Sequence, residues 1–345
     1  MTGHDFPRTR SFANGGVSFW YRQAGPPERR PPLPGPRAYD VCVVGGGYTG
    51  LWTAYYLKKA RPEMRVAVLE REFAGFGASG RNGGWLSAEI AGSKERYAAS
   101  LGRPAVVDFQ RAMMAAIDEV IGVCDEEGID AGIVKGGILQ VATNPAQRRR
   151  LRAAVEDERR WGWAEEDLRL LSRDERQERL RVSGMLEAAH TPHCARIQPA
   201  RLALGLAAAV ERLGVDVFES TTVTEIRPRG AGAPATAVTD RGDVTAEYVI
   251  QATEGFTAGL SGRRRQWLPM NSSMIVTEPL DADLWRHLGW DTANCSATPR
   301  TPTSTPSGPP TTGSPSAAGA SRTASAPAGT TAAPPASGPR RPSNG

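Results

Sequence analysis

Residues 39–50 read YDVCVVGGGYTG, a short apolar run that leads directly into a glycine-rich turn. A continuous apolar run of this length is typical of a buried parallel strand. The apolar residues of 51–57 follow at helical spacing, and a second apolar run, VAVL at 66–69, ends at Glu70. The order strand, glycine turn, helix, strand and acid predicts a complete βαβ unit.

Each part of this unit has a definite structural role if the unit binds a dinucleotide. Gly45 permits the tight turn, Gly47 lets the backbone approach a pyrophosphate, and Gly50 lets the helix pack closely on the strand. The helix N-terminus faces the phosphates with free N–H groups and the positive end of its dipole. Glu70 is placed to accept hydrogen bonds from a ribose hydroxyl pair, and its charge would repel the 2′-phosphate of NADP. A glycine turn without a ligand is the alternative.

A second glycine-rich stretch, GFGASGRNGG at residues 75–84, bears on the choice between NAD and FAD. Glycines let a backbone lie close against a large planar ligand, and Ser79, Arg81 and Asn82 supply hydrogen-bond donors. A flavin and its pyrophosphate need such a second cradle. An NAD-dependent dehydrogenase gives no reason for it and would need a catalytic acid or base. The stretch therefore favours FAD, with an ordinary surface loop as the alternative.

These motifs resemble the FAD-binding region of the D-amino-acid-oxidase-like superfamily, and within it the branch of γ-glutamylputrescine oxidoreductase-like proteins. The resemblance extends over about residues 17–290. Beyond residues 45–50, Glu70 and residues 78–84, it rests on five short motifs: SFW at 18–20, KGG at 135–137, TPHC at 191–194, PARL at 199–202 and ATEG at 252–255.

The resemblance implies that the chain binds FAD. In the superfamily the glycines and the acid hold the ADP half of FAD, and the segment that matches residues 79–84 runs beside the pyrophosphate and the flavin. Val223 should meet the adenine side through its backbone. The predicted cofactor-binding residues are Gly45, Gly46, Gly47, Tyr48, Thr49, Gly50, Glu70, Arg71, Ala78, Ser79, Arg81, Asn82, Gly83, Gly84 and Val223.

The resemblance also implies the chemistry, which is oxidation of a C–N bond in an amine or amino acid. Hydride passes from the α-carbon of the substrate to the flavin, the imine product hydrolyses, and oxygen or another acceptor reoxidises the cofactor. Because the cofactor carries the difficult step, no catalytic dyad is required, and we identify no catalytic residue. A non-catalytic FAD-binding remnant is the alternative from a different class.

The expected fold class is α/β, with α+β character overall: a Rossmann-like FAD-binding domain and an interleaved substrate domain on a mixed or antiparallel sheet. The predicted segments are an extended N-terminal arm (1–38), a first FAD-binding part (39–92), a first substrate part (93–197), a second FAD-binding part (198–262), the start of a truncated second substrate part (263–291) and a disordered low-complexity tail (292–345). Beyond the βαβ unit, the predicted elements are helices at 105–127, 146–161 and 199–213, a helix with a capping-box entry at Ser172 and Glu175, and strands at 132–143, 215–218, 222–226, 237–240 and 244–252.

Charge and cysteine content argue against several classes of protein. The net charge of +5, from 42 basic and 37 acidic residues, is diffuse, and it forms no stripe interleaved with aromatics as a nucleic-acid-binding surface would. The four cysteines are far apart and include no C-x-x-C, so we expect neither a disulfide framework nor a zinc site. The H-x-x-H-C string at 190–194 lacks a clear fourth ligand, so we predict no metal.

The expected location is a reducing cytoplasm, and the expected partner is a small amine or amino acid. We find no export signal and no run that is long and apolar enough to span a bilayer, so no membrane partner is predicted. The sequence makes no prediction of oligomeric state.

Composition changes abruptly at residues 291–292. From Thr292 onward the chain is nearly all Ser, Thr, Pro, Ala and Gly, without an aromatic residue, and such a segment buries too little apolar surface to offset its chain entropy. Because GC-rich codons read out of phase give this bias, we expect the tail from about Ala293 to be a frame-shifted reading of a substrate lobe. We therefore expect the chain as written to be poorly soluble, to hold FAD weakly and to show little oxidase activity.

Overall fold

The computed structural model describes residues 16–25, 27–230, 232–270, 273–277 and 279–290, and the backbone of residues 295–297 and 321–324. The α-helices are α1 (Phe19–Ala24), α2 (Tyr48–Ala60), α3 (Lys94–Leu101), α4 (Arg103–Glu126), α5 (Pro145–Arg160), α6 (Arg173–Arg179), α7 (Pro199–Arg212) and α8 (Ala282–Leu288). The β-strands are β1 (Arg37–Val44), β2 (Val66–Leu69), β3 (Trp85–Ser87), β4 (Val134–Lys135), β5 (Ile138–Ala142), β6 (Arg169–Leu170), β7 (Glu187–Thr191), β8 (Cys194–Arg196), β9 (Asp216–Phe218), β10 (Val223–Arg227), β11 (Ala235–Thr239), β12 (Val244–Gln251), β13 (Ser273–Val276), β14 (Cys295–Ala297) and β15 (Ser321–Ala324).

A six-stranded sheet with the order β10-β11-β12-β1-β2-β9 forms the centre of the first domain. Strands β12, β1, β2 and β9 are parallel, whereas β10 and β11 extend one edge as antiparallel strands. Residues 41–44 of β1 are all buried, so this strand is covered on both faces. Burial on both faces explains why the strand reads as a continuous apolar run and does not alternate.

Helices α2 and α7 cover one face of this sheet. Leu51 and Tyr55 of α2, Val210 of α7 and Val43 of β1 belong to one apolar core. The opposite face forms a second core around Cys42 and Val44 of β1, together with apolar residues of β11 and β12. The βαβ unit is therefore the centre of a sheet that is packed on both sides.

The second domain is built on two smaller sheets, whose strands come from residues 85–196 except for β14. One has the order β14-β5-β7-β6 and the other has the order β3-β8-β4, and their strand pairs are antiparallel except for β14 with β5. Helices α4 and α5 share an apolar core with this domain through residues such as Ile117 and Leu151. Because these residues lie in sequence between the strands of the first sheet, the predicted fold class, with its interleaved second domain on a mixed sheet, is confirmed.

Most predicted helices and strands correspond closely to observed ones. The helices predicted at 105–127, 146–161 and 199–213 are α4, α5 and α7, and the capping box of Ser172 and Glu175 begins α6. Within the described residues, no helix combines the length and the apolar character that a membrane span requires.

The single strand predicted at 132–143 is wrong. The chain forms β4 and β5 instead, and it turns between them at Gly137, which has a φ of +81°. A left-handed residue at this point interrupts the extended backbone, and glycine adopts that conformation without strain. Strands β3, β6, β7 and β8 were not predicted, since most of them span only two or three residues and show no alternation.

The N-terminal arm contains a helix, so the expectation of an arm that is extended throughout 1–38 is wrong. Ser18 caps α1 by accepting a hydrogen bond from the Tyr21 N–H at 3.3 Å. Trp20 and Tyr21 are buried, and the Trp20 indole donates to the Asn82 carbonyl at 2.8 Å while the Tyr21 hydroxyl donates to the Ala74 carbonyl at 3.1 Å. These partners fix the local backbone as a helical turn.

Two short strands lie within the tail that was expected to be disordered. Strand β14 pairs in parallel with β5, and β15 pairs antiparallel with β13. The expectation of disorder throughout 292–345 is therefore wrong at these strands. The rest of the tail, and with it the interpretation as a frame-shifted lobe, lies outside the described residues.

A buried carboxylate, Glu219, fastens the arm to the first domain. Its side chain is 0% exposed and forms an ion pair with the Arg30 guanidinium at 3.1 Å. It also accepts hydrogen bonds from the backbone N–H groups of Arg30 at 3.0 Å and Ala74 at 2.9 Å. A buried charge is tolerated when it is paired and hydrogen-bonded in this way.

We expect Glu219→Ala to lower the free energy of unfolding by about 3 kcal/mol, because it leaves buried donors without their acceptor. Glu225→Ala is the matched control, since Glu225 forms a solvent-accessible ion pair with Arg227 at 2.9 Å and such exposed pairs contribute little to stability. Urea unfolding followed by circular dichroism measures both changes. Equal losses in the two variants would contradict the anchoring role of Glu219.

Candidate cofactor site

A cavity with about 980 Å³ of empty space, partly open to solvent, lies at the carboxyl ends of β1, β2 and β12. Strand β1 is flanked by the parallel strands β2 and β12, so the segments that follow these three strands meet at one point of the carboxyl edge. Ligands of open α/β sheets bind in the crevice at such a point. The cavity is therefore where the fold class leads one to expect a ligand.

The glycine turn between β1 and α2 allows three backbone segments to meet beside the cavity. Gly45 has a φ of +113°, and a methyl group there would collide with the carbonyl oxygen of Ala252. A methyl group at Gly50 would collide with the carbonyl oxygen of Gly45. At Gly47 it would lie 3.0 Å from the Ser79 hydroxyl oxygen, and Gly47 lines the cavity. Gly45 lines the cavity as well, so two of these three glycines face a ligand there.

The N-terminus of α2 directs the Tyr48 N–H toward the 78–80 turn. The Ser79 hydroxyl oxygen accepts a hydrogen bond from the Tyr48 N–H at 2.9 Å, and both residues line the cavity. Gly47, the N-cap, contributes no side-chain hydrogen bond to this end of the helix. Since a helix N-terminus carries unsatisfied N–H groups and partial positive charge, this wall suits an anionic group.

Glu70 lies at the end of β2 on the opposite side of the turn. One carboxylate oxygen accepts from the Gly46 N–H at 2.8 Å, and the other accepts from the Glu72 N–H at 2.9 Å. Burial raises the pKa of this carboxyl above its usual range, and the two backbone hydrogen bonds oppose that effect only in part. Each oxygen has a second lone pair, so Glu70 can accept further hydrogen bonds from a ligand.

Two arginine–phenylalanine pairs border the cavity. The Arg71 guanidinium lies 4.9 Å from the Phe256 ring centroid, and the Arg81 guanidinium lies 4.3 Å from that of Phe76. Both rings line the cavity. Arg81 does not line the cavity. Its guanidinium donates to the Phe76 carbonyl at 2.6 Å, so Arg81 positions Phe76 in the cavity wall.

Nine of the fifteen predicted residues line this cavity: Gly45, Gly47, Tyr48, Thr49, Glu70, Arg71, Ala78, Ser79 and Val223. The other six, which lie outside the lining, are Gly46, Gly50, Arg81, Asn82, Gly83 and Gly84. Asn82 shapes the neighbouring turn, since its amide donates to the Ser79 carbonyl at 2.9 Å and accepts from the Gly84 N–H at 2.8 Å.

The cavity is also lined by residues of 221–222 and 252–260, which the sequence did not predict as binding residues. The ATEG motif at 252–255 is part of the resemblance, but the sequence alone predicts no role in binding for it. This motif could have identified the second of these segments. Glu254 has a φ of +43°, although non-glycine residues seldom adopt the left-handed region. Such strain is common beside ligand sites.

The histidines and the cysteine of the 190–194 string lie in the second domain. His190 Nε2 lies 3.2 Å from the Gly136 carbonyl oxygen, His193 Nε2 lies 2.9 Å from an Asp167 carboxylate oxygen, and Cys194 is buried. In the part of the chain that the structure describes, no group of three or more His, Cys, Asp or Glu side chains is placed to hold a metal ion.

The chain is similar in sequence to an oxidoreductase and to an oxidase of known name. The γ-glutamylputrescine oxidoreductase of Escherichia coli (strain K12) is 34% identical over 256 residues, which cover 72% of this chain and 57% of that protein. The glycine oxidase of Geobacillus kaustophilus (strain HTA426) is 29% identical over 228 residues, which cover 65% of this chain and 57% of that protein. The chain thus spans little more than half the length of these relatives.

The crystal structure of glycine oxidase from Geobacillus kaustophilus matches with a TM-score of 0.56 and 26% identity, covering 76% of this chain and 66% of that one. The family model described as FAD dependent oxidoreductase, DAO, matches residues 40–309. This match includes the βαβ unit and most of both domains. It confirms the resemblance. It also argues against the alternative that the chain is an NAD-dependent dehydrogenase. The chain belongs to the DAO family of FAD-dependent oxidoreductases.

Proposed function

We propose that this chain binds FAD in the cavity at the carboxyl ends of β1, β2 and β12 and oxidises the C–N bond of an amine or amino acid. The observation that supports FAD binding is the arrangement of the α2 N-terminus, Glu70 and Ser79 around one cavity. The substrate class rests on the relatives, whose names specify γ-glutamylputrescine and glycine.

The residues of the cavity fit the two ends of the cofactor's ADP half. The N-terminus of α2 would hold the pyrophosphate, because its N–H groups and dipole favour negative charge. Glu70 would accept hydrogen bonds from the ribose hydroxyls, and the backbone of Val223 would meet the adenine side. Because Gly47 has no side chain, its backbone leaves room for the phosphates to approach.

Bound FAD would supply the hydride acceptor for the substrate α-carbon, and imine hydrolysis and reoxidation by oxygen or another acceptor would complete the reaction. The protein's own contribution is orientation and exclusion of water. Val44 and Leu69 form apolar walls of the cavity. Phe76, held by Arg81, adds a rigid aromatic wall beside them. Apolar walls exclude water and strengthen the electrostatic contacts made by Glu70 and the helix.

We expect Gly47→Leu to purify without the yellow colour of flavin, because its side chain would occupy the space between the turn and Ser79. Gly122→Leu is the matched control, since Gly122 is an exposed residue of α4 and a Cβ atom there meets nothing within 4 Å. The ratio of flavin to protein absorbance gives the occupancy, and circular dichroism checks the fold. Full flavin occupancy in a folded Gly47→Leu protein would refute the assignment.

We expect the affinity for FAD to fall as the pH is lowered through the raised pKa of Glu70. Ribose hydroxyls donate more strongly to the carboxylate than to the neutral acid, so binding favours the ionised form and is lost when it is protonated. Glu70→Gln should bind FAD about tenfold more weakly at alkaline pH and without this pH dependence. FAD fluorescence titrations across the pH range measure both. A Glu70→Gln variant with the unaltered pH profile would show that another group is responsible.

The substrate class is tested by anaerobic bleaching of the flavin absorbance in the FAD-loaded chain. We expect bleaching by glycine or putrescine and none by glycolate or 1,4-butanediol, which replace each amino group by a hydroxyl. The paired compounds have nearly the same size, so a difference reports the C–N bond itself. Bleaching by the hydroxy compounds alone would overturn the substrate class, and bound FAD that no amine bleaches would identify a non-catalytic remnant.

A further inference from the structure

The SFW motif at 18–20 is part of the resemblance, and the proposed function gives it no role. It lies in the N-terminal arm, where residues 19 and 20 begin α1. No described residue of the arm lines the cofactor cavity. The arm nevertheless contacts two segments that supply lining residues, the glycine-rich stretch at 75–84 and the segment at 219–222 that follows β9.

Two hydrogen bonds join the arm to the backbone beside Ser79, a residue of the cavity wall. The Ser18 hydroxyl donates to the Gly80 carbonyl at 2.8 Å, and the Trp20 indole donates to the Asn82 carbonyl at 2.8 Å. Trp20 is buried, so loss of this bond would leave its indole N–H without a partner. The arm therefore fixes the backbone on the C-terminal side of Ser79.

Tyr21 of the arm packs against the same turn. Its hydroxyl donates to the Ala74 carbonyl at 3.1 Å, immediately before the turn. The Gly80 N–H closes the turn by donating to the Gly75 carbonyl at 2.9 Å. A methyl group at Gly75 or at Gly80 would lie 2.5 Å from an atom of Tyr21. The two glycines at the ends of the turn thus leave the space that Tyr21 fills.

The arm also holds the second wall segment. The Leu33 N–H donates to the Thr221 hydroxyl oxygen at 3.0 Å, and the Glu219 N–H donates to the Pro31 carbonyl at 3.3 Å. Thr221 is buried and lines the cavity. The arm therefore bridges two wall segments that lie far apart in the sequence.

We propose that the docked arm is a positioning element for FAD, an inference that rests on the proposed function. Because the arm lies outside the cavity lining, it acts through the turn of Ser79 and through Thr221, which it holds in the arrangement that forms the cavity walls. A contact that favours the binding-competent arrangement raises the affinity for the ligand. Linkage makes the effect reciprocal, so bound FAD stabilises the docked arm by the same factor.

Hydrogen–deuterium exchange of the 345-residue protein, measured by mass spectrometry with and without FAD, tests the reciprocal effect. We expect FAD to slow exchange of the α1 amides by about fivefold or more, since the Arg22 and Gly25 N–H groups bond to carbonyls of the arm. Helix α6 is the control, because it is also short, begins at a serine cap and supplies no lining residue. Equal slowing of α1 and α6 would show general stabilisation by FAD and would overturn the proposal.

The variant Ser18→Ala tests the coupling from the other side. It removes the bond to Gly80 and the cap of α1, and we expect it to weaken FAD binding by about fivefold in fluorescence titrations. Trp20→Phe keeps an aromatic ring but loses the indole donor, and it should weaken FAD binding by a similar factor. Ser172→Ala is the matched control, since Ser172 caps α6 in the same way, by accepting from the Glu175 N–H at 3.2 Å. It should leave the FAD affinity unchanged.

The outcomes separate the role of the arm from the proposed function. If the wild-type protein binds no FAD, both are refuted. If the wild type binds FAD and both Ser18→Ala and Trp20→Phe bind it with unchanged affinity, only the positioning role of the arm is refuted. Circular dichroism checks that the variants are folded. An equal loss of affinity in Ser172→Ala would indicate general destabilisation and would also refute the positioning role.

Discussion

The convergence of three backbone segments at Gly45 is the constraint on which the rest of the structure depends. The end of β1, the end of β12 and the start of α2 approach so closely that a methyl group at Gly45 or Gly50 would collide with a carbonyl oxygen. Neither collision can be relieved by moving a side chain, because each partner is a backbone atom. Parallel pairing places Val44, the last residue of β1, beside Leu69 on one side and beside Gln251 on the other. The three strands therefore end at the same edge of the sheet. Glu70 and the 252–260 segment consequently reach the same cavity.

The second glycine-rich stretch serves the protein's own packing as well as the cavity. Methyl groups at Gly75 and Gly80 would lie 2.5 Å from the hydroxyl and the ring of Tyr21, respectively. These glycines therefore let the arm helix α1 pack beneath the turn that carries Ser79. In this arrangement the hydroxyl of Ser79 meets the first turn of α2. The stretch links the N-terminal arm to the proposed phosphate-binding helix.

The sequence predicted the parts of the fold whose signals are local. The βαβ unit could be identified because its strands are apolar on both faces, and Glu70 because an acid that follows a parallel strand lies at the ligand edge. Helix α1 depends on partners 62 residues away, such as Gly80 and Asn82, and no local pattern carries that information. The lining at 221–222 depends likewise on long-range pairing. Arg81 was predicted to donate toward the cofactor, but its contact with Phe76 turns it away from the cavity lining.

The anchoring of the arm has a consequence for the order in which the chain is made. Arg30 finds its ionic partner 189 residues later in the sequence, and the Trp20 carbonyl is bonded by a glutamine 178 residues later. At ribosomal rates of roughly 5 to 20 residues per second, the arm waits on the order of 10 to 40 seconds before these partners have been synthesised. During that interval Trp20 and Tyr21 have only the part of their native surroundings that comes from residues 73–82. The contacts that anchor the arm therefore become complete only late in the synthesis of the chain.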